Sequence, residues 1–73
     1  MKRYALQKAR QDKGMTQQAV ADYLGIGLRQ YQRIESGESL GSIDMWDALE
    51  DLFLTHQRKL RYQGILYENQ PDQ

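Results

Sequence analysis

The sequence predicts an all-α domain of five short helices, and three observations lead there. Apolar residues recur at helical spacing in short segments. Glycines punctuate the ends of those segments. The string Thr16 to Gly37, TQQAVADYLGIGLRQYQRIESG, holds two helix patterns parted only by Leu24-Gly25-Ile26-Gly27. That turn is too tight for anything but two steeply crossing helices. With Arg29, Gln30, Gln32 and Arg33 on the polar side of the second helix, the pair has the shape that fits a DNA major groove.

The first helix is expected over residues 3–12. Leu6, Ala9 and the methylenes of Lys13 make one stripe, with Tyr4 or Ala5 leading in. Gly14 stops it in a left-handed conformation. Met15 turns back toward the core, and the Thr16 hydroxyl caps a second helix over 17–24. Val20, Ala21 and Leu24 form that helix's buried stripe, and Gly25 takes the positive φ that turns the chain. Ile26 plugs the turn from inside. A third helix, 27–36, puts Tyr31 and Ile34 inward and ends at Gly37. Its outward arc is Leu28, Arg29, Gln32 and Arg33, at i, i+1, i+4 and i+5.

Ser42 is a good N-cap, with Asp44 in the first turn complementing the helix dipole of a fourth helix over 43–53. Its core stripe is Met45, Leu49, Leu52 and Phe53, with Trp46 or Ala48 at the border. A fifth helix is expected at 56–63, with Leu60 inward. Ile65-Leu66-Tyr67 is apolar, and residues 68–73 (ENQPDQ) read as a disordered tail. The domain is therefore set at 1–67.

The 73 residues hold no cysteine and one histidine, His56. Disulfides and thiolate metal sites are excluded. No Ser-His-Asp arrangement appears at helical spacing, so no metal, cofactor or enzymatic chemistry is expected. No apolar run is long enough for a signal peptide or a membrane span, which makes a cytoplasmic protein the expectation. Net charge is zero, but it is segregated along the chain. Residues 1–33 carry +5 and residues 34–54 carry −6. Attraction to phosphate decays over a Debye length of about 8–10 Å, so this local distribution matters more than the total.

With these residues in place, the chain resembles the small five-helix helix-turn-helix domains of phage lambda repressor, Cro and the Xre-type bacterial regulators. The matching residues are Leu6, Arg10, Gly14, Thr16-Gln17, Val20-Ala21, Leu24-Gly25, Arg33-Ile34-Glu35 and Gly37, and the resemblance covers residues 4–61. It implies a compact lambda-repressor-like fold that binds double-stranded DNA through helix three. It also implies an ion pair between Arg10 and Glu35, a phosphate contact by Gln17, joined by Arg10 and Ser36, and base contacts by Leu28, Arg29, Gln32 and Arg33. The chemistry of those four agrees. Arginine donates twice to guanine O6 and N7, glutamine pairs with adenine, and leucine lies against a thymine methyl.

Some positions depart from the family pattern. Gly27 replaces a polar N-cap, the loop before helix four reads Glu38-Ser39-Leu40-Gly41, Glu50 stands where a small residue is usual, and Leu54-Thr55 replaces Gly-Val. A monomer of this size reads only a few base pairs, so a homodimer on a palindromic operator is expected. Its interface would use Leu60, Ile65, Leu66 and Tyr67, with Trp46, Phe53, Leu54 and Tyr62 as further candidates. The function expected is sequence-specific transcriptional regulation in a bacterium or phage. A second reading, of another class, is a protein-interaction module of antitoxin or immunity type that uses helices four and five.

Overall fold

In a computed structural model, which describes residues 1–64, the order is α1 (Tyr4–Asp12), α2 (Gln17–Leu24), α3 (Leu28–Ser36), α4 (Ile43–Phe53) and α5 (Gln57–Arg61). Side chains cap the starts of α2, α4 and α5, and left-handed residues end α2, α3 and α4. The all-α, five-helix architecture expected from the sequence is what these residues adopt. Ile65, Leu66, Tyr67 and the 68–73 tail lie outside the described residues, and with them the expected 1–67 boundary.

Thr16 Oγ1 accepts from Ala19 N at 3.0 Å, and Ser42 Oγ accepts from Met45 N at 3.2 Å, so α2 and α4 are both capped by hydroxyls. Gly25, with φ 73°, ends α2, and the next amide, of Ile26, bonds back to Ala21 O at 3.0 Å. The turn into α3 is thereby closed over the partly buried Ile26. Gly27 is extended and precedes α3 without a side-chain cap. It therefore stands before the helix rather than in it.

Three of the expected details change. Lys13 is exposed as the C-cap of α1, and the partly buried Met15 packs against the core instead. Trp46 is not at the border of α4. It is buried in the core, with its indole N–H donating to Leu40 O at 2.7 Å, because the loop before α4 folds back over the ring. The fifth helix is a single short stretch begun by His56, whose Nδ1 accepts from Arg58 N at 3.0 Å.

The core gathers Leu6 of α1, Val20 and Ala21 of α2, Tyr31 and Ile34 of α3, Trp46 and Leu49 of α4, and Leu60 of α5. α2 packs on α3 and α1 on α5, while α4 touches α2 and α5. The inner side of α3 is therefore covered, and its outer side is left to solvent.

α4 ends on Leu54, which takes φ 52° with its side chain 87% exposed. A left-handed residue bearing a Cβ costs about 1–2 kcal/mol, and this leucine recovers little by burial. Leu54→Gly is expected to raise stability by about 1 kcal/mol. Urea unfolding that shows the variant equal to or weaker than the parent would contradict this account of the α4 terminus.

Candidate nucleic-acid interface

The third helix leaves Leu28, Arg29, Gln32 and Arg33 exposed on one arc. Arg29, Gln32, Arg33 and Ser36 line a shallow groove along that arc, closed at one side by Glu38 of the following loop. Arg33 Nε lies 4.0 Å from Glu38 Oε1, and both side chains are more than half exposed, so the pairing is loose. The four residues expected at base edges thus share one face. Guanidinium, amide and methyl groups there match the donor, acceptor and apolar features of a major groove.

Behind this face a buried carboxylate sets the position of α3. Glu35, 2% exposed, receives four hydrogen bonds. Arg10 Nε donates to Oε2 at 2.7 Å and Arg10 Nη2 donates to Oε1 at 3.2 Å. Gln17 Nε2 donates to Oε1 at 2.9 Å, and the Tyr31 hydroxyl donates to Oε2 at 2.8 Å. Burial alone would push the Glu35 carboxyl up. The bonds from Arg10, Gln17 and Tyr31, with the charge of Arg10, outweigh it and hold the group below the ordinary carboxylate range. Arg10 is raised by its bond to Glu35, against the smaller opposing effect of burial. Tyr31 is pushed up by burial and then by the neighbouring carboxylate, so it stays a neutral donor.

A second clamp holds the C-terminal end of α3, and sequence reasoning missed it. Arg3 contributes to the +5 of residues 1–33, but it is 3% exposed. Its Nη1 donates to Ile34 O and, at 2.8 Å, to Ser39 O, while its Nε donates to Arg61 O at 2.9 Å. Its guanidinium carbon sits 5.2 Å from the Trp46 ring centre. A cation is thus placed where the carbonyl ends of α3 and α5 converge, the negative ends of two helix dipoles. Burial, then the charge of Arg61, lowers the Arg3 pKa, though an arginine stays protonated. Around it, Gly64 N donates to Lys2 O at 2.7 Å and Gln63 Nε2 to Gly37 O at 3.0 Å. Gly37, at φ 90°, has no room for a Cβ, which would run into the Met1 carbonyl. The one signal available in the sequence is a cation without an assigned role, Arg3, and a tryptophan, Trp46, whose side of α4 the periodicity leaves open.

The other expected contacts are placed as follows. Arg10, expected both in the ion pair and on phosphate, is withdrawn from phosphate. Its side chain is 11% exposed, and its remaining nitrogen, Nη1, donates to Met15 O at 3.0 Å. The Gln17 amide is held between Glu35 and Gln32, whose Nε2 donates to Gln17 Oε1 at 3.1 Å. At the start of α2, the backbone N–H groups of Gln17 and Gln18 are the donors best placed for an anion. Ser36 Oγ donates to Arg33 O at 3.1 Å and lies at the edge of the groove. Leu60, expected at a dimer interface, is fully buried in its own chain's core, so it has no surface to offer a second copy. Trp46 is withdrawn in the same way. Leu54 and Tyr62 are exposed, and Ile65, Leu66 and Tyr67 lie outside the described residues.

Among the described residues, no group of three or more His, Asp or Glu side chains is arranged to hold a metal ion, and no helix is long and apolar enough to cross a membrane. A helix-turn-helix family model matches residues 6–55, which takes in α1 from Leu6 onward and the whole of α2, α3 and α4. Among curated proteins and among solved structures, nothing matches the chain.

The Glu35 network has an acid limit whose direction is fixed by its depressed carboxyl. Such a group contributes stability above its unfolded pKa, and that contribution is lost as pH falls through the folded one. The parent should therefore lose stability across the acid window below about pH 4.5. Glu35→Gln should cost about 3–5 kcal/mol at neutral pH, because Arg10 is left desolvated without its counter-charge. Its stability should also fall less steeply in acid. Urea unfolding of both proteins from pH 7 down to pH 3 is the check, and parallel acid limbs would remove Glu35 from this role.

Proposed function

The chain belongs to the Cro/C1-type helix-turn-helix family, whose members are DNA-binding transcription regulators, and on that premise we propose that it reads a specific duplex sequence with α3. The observation that carries this reading is the bracing of α3 from behind by Glu35 and Arg3, which leaves its arginines and glutamines on the open face. A reading helix must keep its angle to the groove, because base discrimination depends on hydrogen bonds made at fixed geometry. Arg29 and Arg33 are assigned to base edges, Gln32 to a base edge between them, and Leu28 to a thymine methyl or the groove wall. Backbone amides at the start of α2, with Ser36 at the far edge, are assigned to phosphates.

The protein would act in the cytoplasm of a bacterium or phage-infected cell as a homodimer on a palindromic site. Two copies place their reading helices about 34 Å apart on one side of the duplex and multiply the discrimination of each. With Leu60 inside the core, the self-association reading rests on the exposed Leu54 and Tyr62 and on the apolar sequence of Ile65, Leu66 and Tyr67.

Selection of bound duplexes from a random pool tests the whole reading, with a two-fold symmetric consensus as the expected result. Affinity for that consensus should fall linearly in log salt, by about 0.9 for each phosphate neutralised. Arg29→Ala should relax preference at one base pair per half-site by about 1–3 kcal/mol and leave the others intact. Binding that is insensitive to salt, with Arg29→Ala indistinguishable from the parent, would favour instead a protein partner held by α4 and α5. Sedimentation at tens of micromolar, with and without the selected duplex, tests the dimer. A monomer in both would remove it.

A further inference from the structure

The bonds around Glu35 do more than hold α3, because they carry a direction out to the reading face. An ionised carboxylate accepts and never donates. All four acceptor positions of Glu35 are filled, by Arg10 twice, by Tyr31 and by Gln17. Gln17 must therefore turn its NH₂ inward, which leaves its amide oxygen facing outward. That oxygen can only accept, and the group it meets is the Gln32 amide, at 3.1 Å. Gln32 must then spend one N–H on Gln17. Chemistry alone fixes the sense of both amides, each forced by the group behind it.

An unrestrained glutamine on a reading helix has two edges to offer a base. It can present oxygen plus one N–H, or it can turn its whole NH₂ outward. The first edge matches adenine, which shows a donor at N6 and an acceptor at N7. The second matches guanine, whose O6 and N7 are both acceptors. With one N–H committed to Gln17, Gln32 keeps its oxygen and its other N–H. It meets adenine with both groups, and against guanine its oxygen faces another acceptor.

We propose that Gln17 is a positioning residue for base specificity: by relaying the polarity of Glu35 to Gln32, it makes Gln32 select adenine over guanine at the base pair it faces. This inference rests on α3 being the DNA-reading helix. It differs from a phosphate role for Gln17, because a phosphate contact weakens every sequence alike, whereas the relay acts on one base position.

Two substitutions and one spectrum test it. Gln17→Met keeps the length of the side chain and removes its polarity. Gln17→Lys offers donors only, to Glu35 and to the Gln32 oxygen, and so turns the Gln32 NH₂ outward. In duplexes varied one base pair at a time, the parent should prefer adenine to guanine at one position per half-site by about tenfold or more. Gln17→Met should bring that ratio close to one, and Gln17→Lys should tip it toward guanine. The position read by Arg29 should keep its preference in both variants. An adenine-to-guanine ratio unchanged in both, or an even weakening at all positions, overturns the relay. In the free protein, NMR of the Gln32 side-chain NH₂ should show one hydrogen-bonded and one solvent-facing proton, a difference erased in Gln17→Met. Equal spectra for parent and variant overturn the relay whether or not DNA binds. A parent without sequence preference but with the expected spectrum overturns the DNA-reading assignment and the base selection built on it.

Discussion

One buried carboxylate organises the helix pair. Glu35 sits on the inner side of α3 and takes donors from α1 through Arg10, from α2 through Gln17, and from its own helix through Tyr31. Moving a charge of this kind out of water costs several kcal/mol, and the cost is offset only when the lone pairs are all met. Here they are, and among the described residues no buried side-chain polar atom lacks a partner. Removing any one donor leaves the others holding a worse-solvated charge, so the angles between α1, α2 and α3 are set together.

Arg3 plays the matching part at the other end of α3. The helix C-terminus presents loose carbonyls and a partial negative charge, and a buried guanidinium answers both. The same group reaches α5 through Arg61 O and lies over Trp46 of α4. α3 is thus pinned by an anion on its inner side and by a cation at its end, and each charge is spent inside the protein. Leu28, Arg29, Gln32 and Arg33 of the outer arc stay out of the core, and Gln32 is tied back to Glu35 through Gln17.

This division changes the reading of the charge pattern. Of the cations in residues 1–33, Arg3 and Arg10 are structural, and Lys8 is paired with Asp12 across one helical turn at 3.2 Å. The positive field available to a duplex is therefore more local than the segment total suggests, and it centres on Arg29 and Arg33. Glu38 stands beside them and narrows it further. A surface of this kind leans on geometry and on backbone amides more than on bulk charge.

The sequence by itself determined the five helices, the hydroxyl caps of α2 and α4 and the outward arc of α3. These depend on periodicity, on hydroxyls such as Thr16 and Ser42, and on Gly25, all of which act within a few residues. The Arg10–Glu35 pair was legible through the family resemblance, whereas tertiary structure alone decided that Arg3 is inside. Nothing in the local pattern around Arg3 distinguishes a surface cation from one buried under two helix ends, because its partners are the carbonyls of Ile34, Ser39 and Arg61, far along the chain. Burial of Trp46 and Leu60 has the same origin. Each could be core or interface by composition, and only the volume enclosed when α1, α4 and α5 meet selects the core. The sense of the Gln17 and Gln32 amides is of this kind too, since it follows from a carboxylate that reaches them only once α2 and α3 have crossed.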